Sequence, residues 1–226
     1  AAHGHDLIIT GRRAERLTDL QKELTEKYKV RIQVLVHDVR NYEETKSAID
    51  ALSEEWRDID LLVNNAGLAA GLSSIQDGDL GHWERMIDTN VKGLLYMTRL
   101  VAALMIPRKK GHIINIGSIA GKEVYANGNV YCATKHAVDA LSKGMRIDLL
   151  PHQIKVTAIH PGMVETEFSV VRFDGDEERA KKVYAGMQPL LPEDIAETIY
   201  WAASRPAHVN INDLVIMPAV QANATT

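Results

Sequence analysis

Residues 59–67 read Ile-Asp-Leu-Leu-Val-Asn-Asn-Ala-Gly, an apolar run that ends in small and polar residues. The run has the length of one β-strand, and its lack of alternation indicates a strand buried on both faces. Such burial requires helices on both sides of a parallel sheet. Similar runs recur along the chain and alternate with longer segments whose apolar residues lie three and four positions apart. This alternation predicts an α/β protein with a doubly wound parallel sheet.

The same patterns predict where each element lies. Strands are expected at residues 6–10, 31–37, 59–64, 112–116, 154–159 and 214–217, and helices at residues 14–28, 42–56, 82–106, 131–149 and 193–203. We interpret residues 168–191 as an insertion between the last two strands, of a kind that often covers a site. Because no repeat or linker divides the sequence, we expect one domain over residues 1–226.

The composition excludes several classes of protein. Of 226 residues, 46% are hydrophobic and 25% are charged, and 26 Lys and Arg stand against 30 Asp and Glu, which gives a net charge of −4. No basic excess would attract nucleic acid or anionic lipid, and no apolar run has membrane-spanning length. The one cysteine, Cys132, excludes an internal disulfide and a Cys-rich zinc site. We therefore expect a cytoplasmic protein without a metal, a nucleic-acid partner or a membrane partner.

Small and polar residues follow several of the predicted strands. They are Gly11-Arg12-Arg13, Asn64-Asn65-Ala66-Gly67, Gly117-Ser118 and His160-Pro161-Gly162. Each cluster alone is ordinary turn chemistry. An open parallel sheet, however, binds its ligands beyond the carboxyl ends of its strands. The clusters together therefore predict a ligand site on one edge of the sheet.

Tyr131 and Lys135 lie four residues apart in the helix predicted at residues 131–149. Their side chains share one face of that helix, with Cβ atoms about 6 Å apart. A neighbouring ammonium favours phenolate, so the pair predicts a Tyr131 pKa below the usual value of about 10. Such a tyrosine can exchange protons near neutral pH. Without further support, a Tyr–Lys pair on a helix is more often a surface contact.

Several motifs, in this order along the chain, resemble the short-chain dehydrogenase/reductases. They are Asn64-Asn65-Ala66-Gly67, Asn90, Gly117-Ser118, Tyr131 with Lys135, and Pro161-Gly162. More narrowly, Gly11-Arg12-Arg13 and residues 167–173 and 206–212 resemble the NADP-dependent 3-hydroxy acid dehydrogenases. The resemblance implies a Rossmann-like fold and an oxidoreductase acting on serine, allo-threonine, 3-hydroxypropionate or malonic semialdehyde.

The resemblance also implies a role for each matching residue. Tyr131 would be the acid/base, and Lys135 would lower its pKa and hold the nicotinamide ribose. Ser118 would bind the substrate oxygen, and Asn90 would hold a water linking Lys135 to solvent. The further cofactor contacts that it implies are Asp38 and Val39 at the adenine, Asn64, Ala66 and Gly67 at the adenine-side ribose, Pro161 and Gly162, and Thr166 at the carboxamide or pyrophosphate.

Charge predicts which dinucleotide is used. An enzyme for NAD usually carries an acidic residue after its second strand, where it binds the ribose 2′-hydroxyl. The matching place here holds Arg12 and Arg13. Two guanidinium groups suit a 2′-phosphate in charge and geometry, so we expect NADP. The alternative for these arginines is a solvated start to the following helix.

Arg172 lies in the predicted insertion, where the chain should close over the nicotinamide. A buried substrate carboxylate requires a cation or several donors, so we expect Arg172 to receive it. The alternative is that Arg172 braces the loop by binding Asp174 or Asp176. The resemblance further implies a homotetramer, paired through the long helices at residues 93–106 and 131–149.

The glycine-rich turn of a dinucleotide fold, and the strand before it, do not occur in this sequence. We expect both in about 25 to 30 residues upstream of Ala1, the size of one β-turn-α unit. That strand would lie between those predicted at residues 6–10 and 59–64. Two other functions stay open: a short-chain reductase of another carbonyl compound, and a noncatalytic dimeric scaffold that kept the fold.

Overall fold

A computed structural model describes residues 1–184 and 186–225 of the chain. The strands are β1 (Leu7–Gly11), β2 (Ile32–Val36), β3 (Leu61–Asn64), β4 (Gly111–Ile116), β5 (Ile154–Pro161) and β6 (Asp213–Ile216). The helices are α1 (Ala14–Tyr28), α2 (Tyr42–Asp50), α3 (Glu54–Arg57), α4 (Leu80–Ile87), α5 (Leu94–Met105), α6 (Asn129–Leu149), α7 (Phe168–Arg172), α8 (Glu177–Lys182) and α9 (Pro192–Ala203). Among the described residues, no helix is both long and apolar enough to cross a membrane.

The described strands form two parallel sheets. β1 pairs with β2, while β3, β4, β5 and β6 are neighbours in that order. Within the described part of the chain, β1 and β3 are not bonded to each other. The break between the sheets lies where we expect the additional strand, which stays a prediction.

Helices cover both faces of the four-stranded sheet. Ile113 and Val156 pack in one buried cluster with Val101 of α5 and with residues of α6. Ile114 and Ile159 pack on the opposite face, against α9. Because successive side chains of a strand point to opposite faces, two covered faces explain why nearly all residues of β4 and β5 are buried and most are apolar. The predicted doubly wound α/β fold is confirmed.

Two of the predicted helices are interrupted. The helix expected at residues 42–56 ends at Asp50, and α3 begins after Ser53, because Leu52 between them is buried in the core. The helix expected at residues 82–106 contains a single π-helical stretch, Asp88–Gly93, between α4 and α5. A π turn holds one more residue than an α turn and often marks a functional position. It carries Asn90.

The predicted insertion at residues 168–191 contains α7 and α8, and residue 185 lies outside the described residues. Its two ends meet, because Val164 forms a parallel β-bridge with Leu190. The N–H of Leu190 also donates to the carbonyl of Met163 over 2.9 Å. The insertion is therefore anchored just beyond the end of β5, on the edge of the sheet where we expect the site.

Candidate active site

Tyr131 and Lys135 project from the first turns of α6 into the protein. Both are buried, with 9% and 6% of their surface exposed. Nζ of Lys135 lies 6.0 Å from the centroid of the Tyr131 ring. The structure therefore brings the two side chains together in the interior, which excludes the surface pair.

The Lys135 ammonium lies at the carboxyl end of β4. Its Nζ donates to the carbonyl oxygen of Ile116 over 2.9 Å. A Cβ atom placed on Gly67, just after β3, would lie 3.4 Å from this Nζ and 3.4 Å from Oδ1 of Asn90. Burial lowers the pKa of Lys135 to about 8. Lys135 thus joins the ends of two strands and keeps its charge through neutral pH.

The Tyr131 pKa moves opposite to the predicted direction. Burial of the phenol raises this pKa above its ordinary value, and a hydrogen bond from Ser118 and the charge of Arg172 oppose the rise only in part. The prediction that Lys135 would bring the pKa toward neutrality is wrong for this structure. A neutral phenol is favoured over a buried phenolate, and the Lys135 ammonium is directed at Ile116. Tyr131 consequently holds its proton at neutral pH.

Ser118 follows the end of β4 and faces Tyr131. Its hydroxyl acts to lower the Tyr131 pKa and accepts from the N–H of Ala120 over 3.1 Å. The latter bond caps the short 3₁₀ turn Ile119–Gly121. The end of β4 and the cap of the 3₁₀ turn therefore hold Ser118 beside Tyr131.

Asn90 uses its carboxamide to hold the segment that follows β3. Its Oδ1 accepts from the N–H of Leu68 over 2.8 Å, and its Nδ2 donates to the carbonyl of Leu68 over 2.8 Å. Nδ2 also donates to the hydroxyl of Thr134 over 3.0 Å. These bonds tie the end of β3 to α6 beside Lys135. The water-holding role of Asn90 stays a prediction.

The arginines expected to bind a 2′-phosphate are exposed at the start of α1. Nη1 of Arg13 lies 3.4 Å from a carboxylate oxygen of Glu167. The charge of Arg12 contributes to lowering the Asp38 pKa, although hydrogen bonds from Arg40 are the larger cause. Asp38 accepts two bonds from Nε of Arg40, at 3.0 and 2.9 Å. Both arginines thus lie among carboxylates that an anionic ligand would displace or rearrange.

Arg172 faces a small cavity beside Tyr131. Its Nη2 donates to the Tyr125 hydroxyl over 3.0 Å, and its guanidinium carbon lies 5.7 Å from the centroid of the Tyr131 ring. Trp83 and Met86 of α4 also line the cavity. The alternative partners lie elsewhere: Asp174 forms an ion pair with Arg85 and lies 3.4 Å from Nε2 of His82, and Asp176 accepts from the N–H of Arg179 over 2.9 Å.

A family model described as short chain dehydrogenase matches residues 1–177. The chain belongs to this family. NADP-dependent 3-hydroxy acid dehydrogenase YdfG of Salmonella typhi is 51% identical over 223 residues, which cover 98% of this chain and 88% of that protein. The NADP-dependent 3-hydroxy acid dehydrogenase of Schizosaccharomyces pombe is 42% identical over 218 residues, 96% of this chain and 84% of that protein.

Solved structures agree with this assignment to the short-chain dehydrogenase family. The closed form of a serine dehydrogenase complexed with NADP+ is 48% identical, with a TM-score of 0.93 over 98% of this chain and 88% of that one. Serine dehydrogenase from Escherichia coli is 44% identical, with a TM-score of 0.83 over 97% of this chain and 89% of that one. The resemblance to the short-chain dehydrogenase/reductases is confirmed.

The structure limits two of the cofactor contacts that the family resemblance implies, those of Asn64 and Val39. The Asn64 side chain points into the core, where its Nδ2 donates to Thr98 over 2.9 Å and to Asn115 over 2.8 Å. Only the main chain of Asn64 can therefore border a cofactor, as it can at Ala66 and Gly67. Val39 packs against Gly93, since a Cβ atom on that glycine would lie 2.9 Å from it.

The end of β5 depends on Gln221, a residue that the sequence patterns did not identify. Gly162 has no room for a side chain, because a Cβ atom there would lie 2.4 Å from Oε1 of Gln221. That oxygen accepts from the N–H of Met163 over 2.8 Å. Gln221 thus holds the turn after Pro161 in place. Farther along, the Thr166 hydroxyl accepts from the N–H of Phe168 over 3.1 Å.

Proposed function

We propose that this protein is an oxidoreductase that oxidises small 3-hydroxy acids, or reduces the corresponding semialdehydes, with NADP. The observation that carries this proposal is the placement of a cation, Arg172, beside the buried phenol of Tyr131. A substrate whose hydroxyl reaches Tyr131 could place a carboxylate on Arg172. Such a carboxylate requires a cation once it leaves water.

The edge of the sheet fits a dinucleotide. Gly67 has no side chain at the point where Lys135 and Asn90 meet, so the main chain is open to a ligand there. Arg12 and Arg13 supply positive charge at the end of β1, where an NAD enzyme would carry a carboxylate. Lys135 would hold the nicotinamide ribose, and the arginines would hold the 2′-phosphate. When bound, NADP supplies the hydride chemistry.

The residues around Tyr131 account for the proton that must move with each turnover. In reduction, the neutral Tyr131 donates its proton to the substrate oxygen as negative charge develops there. Ser118 donates a hydrogen bond to the same oxygen and stabilises that charge. In oxidation the proton returns to a Tyr131 phenolate. Asn90 keeps Leu68 and Thr134 in place around Lys135, and with a bound water it would connect Lys135 to solvent.

The relatives support this substrate class and this cofactor. The proteins from Salmonella typhi and Schizosaccharomyces pombe are both named NADP-dependent 3-hydroxy acid dehydrogenases. The solved neighbour of 48% identity is a serine dehydrogenase complexed with NADP+. Serine, allo-threonine and 3-hydroxypropionate share a carboxylate two bonds from the carbon that carries the hydroxyl. In this proposal, Arg172 would bind that common group.

A second function is favoured by the contacts that Arg172 already makes. Its guanidinium is held by Tyr125, and its Nε lies 3.4 Å from the carbonyl of Gly71. If these contacts persist with substrate bound, Arg172 braces the loop and the cavity accepts a neutral carbonyl compound. Trp83 and Met86 would suit such a substrate.

A substrate comparison with the full-length protein separates the two functions. L-serine, L-allo-threonine and 3-hydroxypropionate are assayed with NADP+, and propane-1,3-diol serves as the neutral analogue of 3-hydroxypropionate. We expect kcat/KM to be at least about tenfold higher for the acid than for the diol, because the diol forms no charge-assisted bond. A preference for the diol would support the neutral-carbonyl reductase.

We also propose a homotetramer in the cytoplasm. Leu95 of α5 and Ile147 of α6 are exposed by 38% and 73%, although both are large apolar residues. Their helices are the two that the family resemblance assigns to subunit pairing. Cys132 is buried and forms no disulfide, in keeping with a reducing compartment. Light scattering at micromolar concentration tests the assembly, and a monomer would contradict it.

A further inference from the structure

His160 occupies the position before Pro161 at the end of β5 and is fully buried, with 0% of its surface exposed. Polar side chains that are this deeply buried generally have defined hydrogen-bond partners. The roles assigned above to Tyr131, Lys135, Ser118 and Asn90 do not use this ring. Its two nitrogens face different surroundings, and both bear on the geometry of the site.

Nδ1 of His160 faces the residues that end β4. It lies 3.2 Å from the carbonyl oxygen of Ser118. Because a carbonyl only accepts, Nδ1 must carry the proton and donate it. The ring also lies against Gly117, where a Cβ atom would be 2.4 Å from Nδ1. The N–H of Gly117 donates in turn to the carbonyl of Ile159 over 2.7 Å. The main chain entering Ser118 is thus held by β5 on both sides.

Nε2 of His160 faces a cluster of charged groups from three further elements. It lies 3.6 Å from a carboxylate oxygen of Asp139 on α6 and 3.6 Å from one of Asp213 on β6. The ammonium of Lys122 donates to both carboxylates. Lys143 also donates to Asp139, over 2.7 Å.

Burial is the main reason that the ring is neutral. Burial and the charge of Lys122 lower the pKa of His160, while the two carboxylates oppose the shift. The positive charge of Arg146 also acts on Asp139 and Asp213. Asp139, His160 and Asp213 have ligand atoms within 4.8 Å of one another, but Lys122 already bridges the carboxylates. The cluster is therefore an internal ion-pair network that lies on the Nε2 side of the imidazole.

We propose that His160 is a positioning residue for Ser118. Its Nδ1–H holds the Ser118 carbonyl and thereby sets the direction of the Ser118 hydroxyl toward Tyr131 and the substrate oxygen. Asp139 and Asp213 lie behind the ring, each with a carboxylate oxygen 3.6 Å from Nε2. This inference rests on the proposed role of Ser118 in substrate binding.

Two substitutions separate the contacts of the ring. Asn places an amide nitrogen near the position of Nδ1, whereas Gln places one near the position of Nε2. We expect His160→Gln to lower kcat about tenfold, since one neutral hydrogen bond that orders Ser118 is lost. We expect His160→Asn to keep kcat within about threefold of the parent enzyme, with the KM for NADP unchanged in both. Equal losses in both variants, or a larger loss in His160→Asn, would overturn the proposal.

The same substitutions in a Ser118→Ala enzyme test whether His160 acts through the serine. We expect His160→Gln to have almost no further effect on kcat in that enzyme, because the hydroxyl it positions is absent. A full tenfold loss in both backgrounds would show that His160 acts elsewhere. If Ser118→Ala alone left kcat unchanged, the proposed function would fail first. Melting temperatures of all variants, measured with NADP bound, check that each is folded.

Discussion

The two sheets of the molecule place their functional residues in opposite environments. In the four-stranded sheet, Ile113, Ile114 and Ile159 are fully buried, and Tyr131 and Lys135 beside them are at most 9% exposed. In the two-stranded sheet, the neighbouring helix α1 has no buried residue, and Arg12 and Arg13 at its start are exposed. One half of the candidate site therefore lies in the core, and the other lies at the surface.

Burial decides what each half can do. Tyr131 and Lys135 have shifted pKa values because burial disfavours their charged forms. Groups of this kind can store and release a proton at a defined place. The contact between Arg13 and Glu167 joins side chains exposed by 64% and 63%, and such pairs exchange partners at little cost. The buried half is suited to chemistry, and the exposed half to selecting a charged ligand.

Replacing Tyr131 by Phe tests the buried half most directly and should have the largest effect. The ring and its packing remain, but the proton donor is lost. We expect kcat to fall by about 10³-fold or more, within the range of a lost general acid combined with lost orientation. The KM for NADP should change by less than about threefold. If Tyr131→Phe kept more than about a tenth of the parent kcat, another group would be the acid.

The contact between Arg172 and the buried half should give the next largest effect. Arg172→Ala should lower kcat/KM for 3-hydroxypropionate by about 10²-fold, which corresponds to about 3 kcal/mol, since a charged partner of a buried carboxylate is removed. Turnover of propane-1,3-diol should change little. Tyr125→Phe is the matched control, because it leaves the cation and removes the hydroxyl that holds it. A parallel loss for the acid and the diol would identify Arg172 as a brace of the loop.

The protonation of Tyr131 predicts how the two directions depend on pH. The pKa of Tyr131 lies above its ordinary value. At any pH well below this pKa, the phenolate fraction rises tenfold with each unit of pH. Oxidation needs the phenolate, and kcat should therefore rise by about 10²-fold between about pH 5 and pH 7, where Lys135 keeps its charge. Reduction uses the phenol and should stay nearly constant. Rates are measured at saturating NADP; an oxidation rate independent of pH would contradict this.

The fold of the buried half could be predicted from sequence, because two covered sheet faces impose apolar runs. β4 and β5 lie within two residues of their predicted bounds. The π-helical turn at Asn90 could not be predicted, since one extra residue in a turn leaves the apolar spacing of the helix almost unchanged. The break at Leu52 was missed for a related reason: its apolar side chain fits a helical pattern as well as it fits the core.

For the site, sequence spacing predicted which residues lie together but not the direction of their pKa shifts. The four-residue spacing of Tyr131 and Lys135 correctly put them on one face, whereas the direction of the Tyr131 pKa depends on burial, which spacing does not encode. Asn64 marks the edge of the sheet, but its side chain points into the core, where it donates hydrogen bonds to Thr98 and Asn115. His160 offered one signal, its place in the cluster His160-Pro161-Gly162 after a predicted strand, and Gln221 offered none.

The smallest effect is expected in the exposed half, where Arg12 and Arg13 should select NADP over NAD. Replacing both by Ala should raise the KM for NADP+ by about tenfold and leave the KM for NAD+ within about twofold, because only NADP carries the 2′-phosphate. Solvent exposure keeps the effect below that of a buried ion pair. Arg16→Ala is the matched control: Arg16 lies on the same helix and contacts the same carboxylate, with its Nη1 2.9 Å from Glu167.

The control distinguishes a specific phosphate site from a general positive field. If the field of α1 alone attracted the cofactor, removing Arg16 would raise the KM for NADP+ about as much as removing one of the other two arginines, and the effect would fade with added salt. If the 2′-phosphate is held by the guanidinium groups at the end of β1, Arg16→Ala should instead leave that KM unchanged or raise it only slightly. The reason is that Glu167 pairs with both Arg13 and Arg16, and any ligand that takes Arg13 must compete with that carboxylate. Equal rises in KM for NADP+ and NAD+ in the double variant would contradict the assignment, since NAD+ has no group for these arginines to bind.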